Sequence, residues 1–188
     1  MKTVPILHVD ATVRPKSRTA ALARWLIGRM GGPVETVRLA EGAATPLDGA
    51  ALHRREALLA EGCLGAPEFA LARQFAAAER IVVSAPYWDL LFPASLRAYF
   101  ERVCVVGVTF AYDAATGAPV SLCHARSLVY VCTAGGPVSR NLGFEYVREL
   151  CSVFFGIKDV RLFQADGLDL PEADVDGLLA RAKAAWTP

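Results

Sequence analysis

The chain has 188 residues, of which 54% are hydrophobic and 21% are charged, and its formal net charge is +1. This composition excludes a disordered chain, and the near-neutral charge leaves no electrostatic footprint for nucleic acid. No apolar run reaches the roughly 18 residues of a membrane span, so we expect one domain over residues 1–188 with no nucleic-acid or membrane partner.

The first residues and the cysteines both bear on the cellular compartment. The apolar run that opens the chain stops at Val9, before Asp10, and is too short for the core of a secretory signal peptide. The five cysteines are an odd number without a CxxC pair, which argues against a disulfide framework. The three histidines lie nowhere at ligand spacing. We therefore expect a cytoplasmic protein without a metal site.

Strands and helices are predicted to alternate along the chain. Short apolar runs predict strands, and apolar residues at three- and four-residue spacing predict helices. In chain order, the predicted elements are a strand at residues 4–9, a helix at 18–30, a strand at 34–39, helices at 51–61 and 67–78, a strand at 81–85, a helix at 93–104, a small β-hairpin within 105–122, a strand at 127–133, a helix at 140–155, a strand at 160–165 and a closing helix from residue 171.

Five buried strands separated by helices predict an α/β fold: a parallel sheet with helices on both faces. Right-handed crossovers leave two common doubly wound orders, and five strands favour the flavodoxin-like order 2-1-3-4-5. Such sheets bind their ligands beyond the carboxyl ends of the strands, where the strand order reverses. The turns after Val9, Ala85 and Cys132 are therefore the candidate functional site.

The first turn, residues 10–19, has the residue types of a phosphate site. It contains neither GxGxxG nor GxxxxGK[ST], so neither nucleotide-binding fingerprint is present. It ends in Ser17, Arg18 and Thr19, where a helix begins, and Arg14 and Lys16 add positive charge. Hydroxyls, free backbone N–H groups and a helix N-terminus suit a phosphate monoester. The alternative is that Ser17 only caps the helix.

The second turn, residues 85–93, carries two adjacent aromatic residues, Tyr87 and Trp88, between Pro86 and Pro93. Flat apolar side chains beside backbone donors suit a planar heterocycle. The alternative is that both aromatics cover the end of the sheet as part of the core.

The third turn, residues 133–137, contains the pair Gly135 and Gly136 directly after a strand. Adjacent glycines allow a ligand to approach the backbone closely. A tight strand-to-helix turn explains them equally well. The three turns together favour a ligand site more strongly than any one of them alone.

The chain resembles the flavodoxin-like FMN-dependent NAD(P)H oxidoreductases, the group of NAD(P)H:quinone reductases and FMN-dependent azoreductases. The resemblance covers most of the chain. It is carried by residues 14–19 (Arg-Pro-Lys-Ser-Arg-Thr), 85–89 (Ala-Pro-Tyr-Trp-Asp), 92–101 (Phe-Pro-Ala-Ser-Leu-Arg-Ala-Tyr-Phe-Glu), 107–112 (Gly-Val-Thr-Phe-Ala-Tyr), 133–137 (Thr-Ala-Gly-Gly-Pro) and 154–157 (Phe-Phe-Gly-Ile).

This resemblance implies a role in FMN binding for each turn. Ser17, Arg18 and Thr19 would hold the phosphate. The residues that would line the isoalloxazine are Pro86, Tyr87, Trp88, Asp89 and Leu90, and those that would close its other edge are Thr133, Ala134, Gly135 and Gly136. Trp88 and Phe110 are expected to shape the acceptor pocket. No catalytic residue is expected, because the flavin performs the chemistry.

The resemblance also implies the reaction: two-electron, ping-pong reduction of quinones or similar small acceptors by NADH or NADPH, with azo and nitro compounds as further candidates. Two positions depart from the azoreductase pattern, since Ala11 stands where a serine is usual and Asp89 where an asparagine is usual. A flavodoxin-type electron carrier remains an alternative, although such carriers are typically acidic. A flavodoxin-like binding or sensor protein without turnover is the other.

We expect a homodimer with the flavin site at its interface. The excursion at 105–122 carries Phe110 and Tyr112 outside the core pattern, and the helix before it carries Tyr99 and Phe100. Exposed aromatics in this number favour a protein partner, and two-fold pairing is the commonest arrangement. The alternative is that the excursion folds back on its own subunit.

Overall fold

The computed structural model describes residues 5–187. Its strands are β1 (Ile6–Asp10), β2 (Val34–Arg38), β3 (Arg80–Ser84), β4 (Phe110–Tyr112), β5 (Pro119–Ser121), β6 (Ser127–Thr133) and β7 (Asp159–Ala165). Its α-helices are α1 (Arg18–Met30), α2 (Gly49–Ala60), α3 (Ala70–Ala77), α4 (Ala94–Val103), α5 (Leu142–Leu150) and α6 (Val175–Ala185). The predicted start of the first strand, at Val4, lies outside the described residues.

The five longer strands form one parallel sheet in the order β2-β1-β3-β6-β7. Numbered among themselves these strands are in the order 2-1-3-4-5, so the predicted flavodoxin-like topology is confirmed. The central strands are buried on both faces, which explains why they are continuous apolar runs rather than alternating ones.

Helices cover both faces of the sheet, as predicted. On one face, Leu22 and Leu26 of α1 pack with Val82 and Val131, and α6 adds Leu178 at the edge of this cluster. On the other face, apolar residues of α3, α4 and α5 pack against alternate residues of the same strands; these helix residues are Phe75, Leu96, Tyr99, Phe100, Val103 and Val147. Packing on both faces fixes the positions of the strand ends, and with them the positions of the turns that follow the strands.

Some helix boundaries differ from the prediction for local reasons. The predicted helix at 140–155 is α5 followed by a π-helical segment, Cys151–Phe155, which ends at Gly156 with φ of +63°. The predicted helix at 67–78 opens with a separate 3-10 turn, Pro67–Phe69. The closing helix begins at Val175 rather than at Pro171, because Glu172 has a φ of +60° and Asp174 caps the helix through its side chain.

The excursion at 105–122 contains the predicted hairpin, formed by β4 and β5, but its aromatics are not exposed as expected. Phe110 is only 5% exposed, because its ring packs 4.6 Å from that of Phe154 in the same chain. Tyr99 and Phe100 are fully buried under the sheet, and Tyr112 alone of the four is exposed. The hairpin therefore folds back on its own subunit, and the aromatic argument for a dimer is wrong.

No helix among the described residues combines the length and the apolar character needed to cross a membrane.

Candidate functional site

The carboxyl ends of β1, β3 and β6 open onto one cavity of about 400 Å³. This volume lies within the range of small-molecule sites. Most of the predicted site residues line it, namely Ser17, Arg18, Thr19, Pro86, Tyr87, Trp88, Thr133, Ala134 and Gly135. Arg14 and Lys16, which were expected to add positive charge to the first turn, also line it, and Val13 and Asp169, which were not predicted, complete the lining. The fold thus brings the three predicted turns together.

Four of the predicted residues do not line this cavity. Asp89 and Leu90 form the tip of a turn, where both have positive φ, 50° and 70°. Gly136 is exposed, and its carbonyl accepts a hydrogen bond from the N–H of Gly167. Phe110 lies in the hairpin core and does not line this cavity, so its place in the acceptor pocket stays a prediction.

One end of the cavity is basic and rich in backbone donors. Arg14, Lys16 and Arg18 line it, and the first turn of α1 carries no acidic residue. Ser17 caps α1, since its Oγ accepts the N–H of Ala20 at 3.1 Å. Ser17 therefore does cap the helix, as the alternative held. The other N–H groups of the first helical turn have no intrahelical acceptors. These groups and the helix dipole favour an anion at this end.

A buried hydroxyl pair joins the first turn to the third. The Oγ1 atoms of Thr19 and Thr133 are 2.6 Å apart, and the two residues are only 1% and 8% exposed. Either hydroxyl can be the donor of this hydrogen bond. The pair fixes the start of α1 against the end of β6.

A second polar chain lies under the first turn, and sequence analysis missed it. Asp10 Oδ1 accepts the N–H of Thr12 at 3.0 Å and the hydroxyl of Ser84 at 2.9 Å. Because the Ser84 hydroxyl donates to Asp10, the Nε2–H of His8 donates to Ser84 Oγ, at 2.9 Å. This chain fixes the backbone where the first turn leaves β1.

His8 is the titratable group of this chain. It is 6% exposed, and burial lowers its pKa, with Arg38 and Arg24 acting in the same direction and Asp10 opposing them. An aspartate at the end of a strand often accepts a hydrogen bond from the backbone N–H two residues on, in an Asx turn. The position of Asp10 at the end of β1 could therefore have indicated its contact with Thr12.

The aromatic side of the cavity is built by the second turn. The N–H of Tyr87 donates to the Thr133 carbonyl at 3.0 Å, which continues the pairing with β6 past the end of β3. Trp88 and Leu91 exchange two backbone hydrogen bonds, of 3.3 and 2.8 Å, so Asp89 and Leu90 form a tight turn between them. Trp88 stays 37% exposed at the cavity. A flat apolar ligand can lie against these rings.

The loop after β7 is a fourth part of the site. Its Leu168 and Asp169 N–H groups donate to the carbonyls of Ala134 and Gly135, at 3.2 and 2.8 Å. Arg18 reaches this loop, donating to the Leu168 carbonyl at 2.8 Å and to Asp169 Oδ1 at 2.6 Å. Because β7 neighbours β6 in the predicted strand order, the sequence could have indicated this loop, but no motif marks it.

Together these features suit a ligand with a phosphate at one end and a flat, largely apolar ring system at the other. The donor set at the basic end consists of N–H groups, a hydroxyl and cations, which matches a phosphate group.

Comparison with known proteins agrees with the fold. An FMN-dependent NADH:quinone oxidoreductase 2 of Clostridium acetobutylicum is 40% identical over 114 residues, which are 57% of this chain and 56% of that protein. In this and similar alignments the chain spans about half the length of the curated relatives it matches. An FMN-dependent NADH:quinone oxidoreductase of Albidiferax ferrireducens is 29% identical over 95% of this chain and 96% of that protein.

Among solved structures, an azoreductase from Bacillus anthracis str. Sterne superposes with a TM-score of 0.79 at 20% identity, over 95% of this chain and 94% of that one. At this identity the similarity shows a common fold. The family model described as a flavodoxin-like fold matches residues 5–187. With the strand order and the site at the switch point, this match shows that the chain belongs to the family of flavodoxin-like fold.

Proposed function

We propose that this protein is an FMN-dependent NAD(P)H oxidoreductase that reduces quinones or similar small acceptors. The observation that carries the proposal is the cavity beyond β1, β3 and β6, which has a basic helix N-terminus at one end and Tyr87 and Trp88 at the other. The names of the relatives from Clostridium acetobutylicum and Albidiferax ferrireducens support the same cofactor, reductant and acceptor class.

The cavity residues fit FMN in their chemistry. Ser17 and the N–H groups of Arg18 and Thr19 would hold the phosphate, and Pro86, Tyr87 and Trp88 would flank the ring system. A third group would close the opposite edge: Thr133, Ala134 and Gly135. Bound FMN supplies two-electron transfer between a nicotinamide nucleotide and an acceptor. The protein's own part is to bind, orient and shield these partners, so no residue is assigned acid or base chemistry.

Asp89 and Leu90 are proposed to act at the mouth of the site rather than in its wall. Their turn lies next to Trp88, and Leu90 and the following Leu91 are 60% and 43% exposed. Ala11 is fully buried and offers no hydroxyl to the phosphate end. We therefore propose quinones and similar small acceptors, rather than azo compounds, as the substrates.

We also propose a homodimer, now on different grounds from the aromatic hairpin. Trp88, Leu90 and Leu91 form an exposed apolar group beside the cavity, which a second copy would cover. Light scattering at micromolar concentration tests the assembly, and a monomer would contradict it.

A reducing, cytoplasmic location is proposed from the odd cysteine number and the lack of CxxC spacing.

The test of function begins with purified protein and added FMN. A yellow protein with a flavin absorbance spectrum is expected, followed by oxidation of NADH or NADPH that depends on a quinone. Steady-state rates should give parallel double-reciprocal lines if reductant and acceptor use the same place in turn. Flavin binding without turnover would favour the electron-carrier alternative, and no flavin binding would refute the proposal.

A further inference from the structure

The basic end of the cavity contains a carboxylate as well as cations. Asp169 lines the cavity, and its Oδ1 accepts a hydrogen bond from Arg18 Nη2 at 2.6 Å. Arg18 Nη1 donates to the neighbouring Leu168 carbonyl at 2.8 Å. The Arg18 guanidinium is thus already hydrogen-bonded within the chain, at the end where the donor set suits a phosphate.

The backbone holds Asp169 in this place. Its N–H donates to the Gly135 carbonyl at 2.8 Å, so the loop after β7 lies against the loop after β6. A Cβ added to Gly135 would lie 3.0 Å from Asp169 Cγ and 3.1 Å from its Cβ. A side chain at position 135 would therefore push the carboxylate away, and glycine allows it to reach Arg18.

The ion pair itself is a weak one. The side chains of Arg18 and Asp169 are 32% and 63% exposed, and pairs this exposed contribute little to stability. A phosphate group carries more charge than a carboxylate and binds a guanidinium through two parallel hydrogen bonds. A phosphate at this end can therefore displace Asp169 from Arg18, at the cost of facing its negative charge.

We propose that Asp169 sets the affinity of the site for phosphate-bearing ligands. It holds Arg18 when no phosphate is present, competes with the phosphate for Arg18, and repels it. This inference rests on the proposed function, since it assigns the phosphate end of an FMN site. It implies that Asp169 acts on FMN but not on riboflavin, which has the same ring system without the phosphate.

The experiment compares FMN and riboflavin binding by the wild type and Asp169→Asn, followed by quenching of flavin fluorescence. The variant is expected to bind FMN about tenfold more tightly, which is about 1.4 kcal/mol, and riboflavin equally well. The FMN gain should shrink as salt is added, because the removed interaction is a partly exposed electrostatic one. Asp176→Asn is the matched control, since it removes the same charge from the exposed first turn of α6.

Each outcome decides the inference. Unchanged or weaker FMN binding by Asp169→Asn would overturn it, and so would an equal gain for riboflavin or for Asp176→Asn. Asp169→Ala should also bind FMN more tightly than the wild type. This variant separates the loss of charge from any contact made by the asparagine amide. Wild-type protein that binds neither flavin would refute the proposed function and this inference with it. FMN binding that the Asp169 variants leave unchanged would refute the inference alone.

Discussion

The hydroxyl pair of Thr19 and Thr133 offers a sharp test of how the site is held together. Thr19→Val keeps the shape of the side chain but leaves the Thr133 hydroxyl buried, 8% exposed, without its 2.6 Å partner. An unpaired buried hydroxyl costs about 1–3 kcal/mol. The reverse change, Thr133→Val, should cost a similar amount. The double variant replaces both hydroxyls by methyl groups and should be close to neutral.

Urea denaturation at constant m-value measures these free energies of unfolding. For a chain of this length, 1 kcal/mol shifts the melting temperature by roughly 2–4 °C, so the singles are readily resolved. Thr36→Val, at an exposed position, is the control for replacing a threonine hydroxyl with a methyl group. Its free energy of unfolding is expected to stay within about 0.5 kcal/mol of the wild-type value. If the double variant loses as much stability as the two singles added together, the pair is not coupled and the reasoning fails.

Three further predictions follow from the site and the core. Ser17→Asp keeps a side-chain cap on α1 but adds a carboxylate at the basic end, so stability should hold while FMN affinity falls; equal FMN affinity would refute the phosphate assignment. The buried His8 has its pKa lowered from 6.5, so protonation favours the unfolded chain. The free energy of unfolding should therefore fall as the pH drops below about 6.5. In denaturation curves recorded at several pH values, His8→Gln should show a smaller fall over this range. Phe110→Ala should cost about 3–5 kcal/mol of stability without lowering the turnover of folded protein, and slower turnover of fully folded samples would return Phe110 to the acceptor site.

The sequence by itself determined the fold and the position of the site. Each central strand is a short apolar run, because both of its faces are buried, and each covering helix shows apolar spacing on one face only. These local patterns report burial residue by residue, so strand order followed from general rules of chain connection. The same rules place the ends of β1, β3 and β6 together, which is why most of the predicted site residues line one cavity.

The tertiary structure alone decided which side chains face one another across the site. Arg18 and Asp169 are separated by 151 positions and Thr19 and Thr133 by 114, so no local pattern records that they meet. The burial of Phe110 was missed for the same reason: an aromatic in a hairpin has no periodicity to show whether it faces solvent or packs against Phe154. Periodicity reports whether a residue is buried, whereas its partner depends on the packing of elements that are distant in the chain.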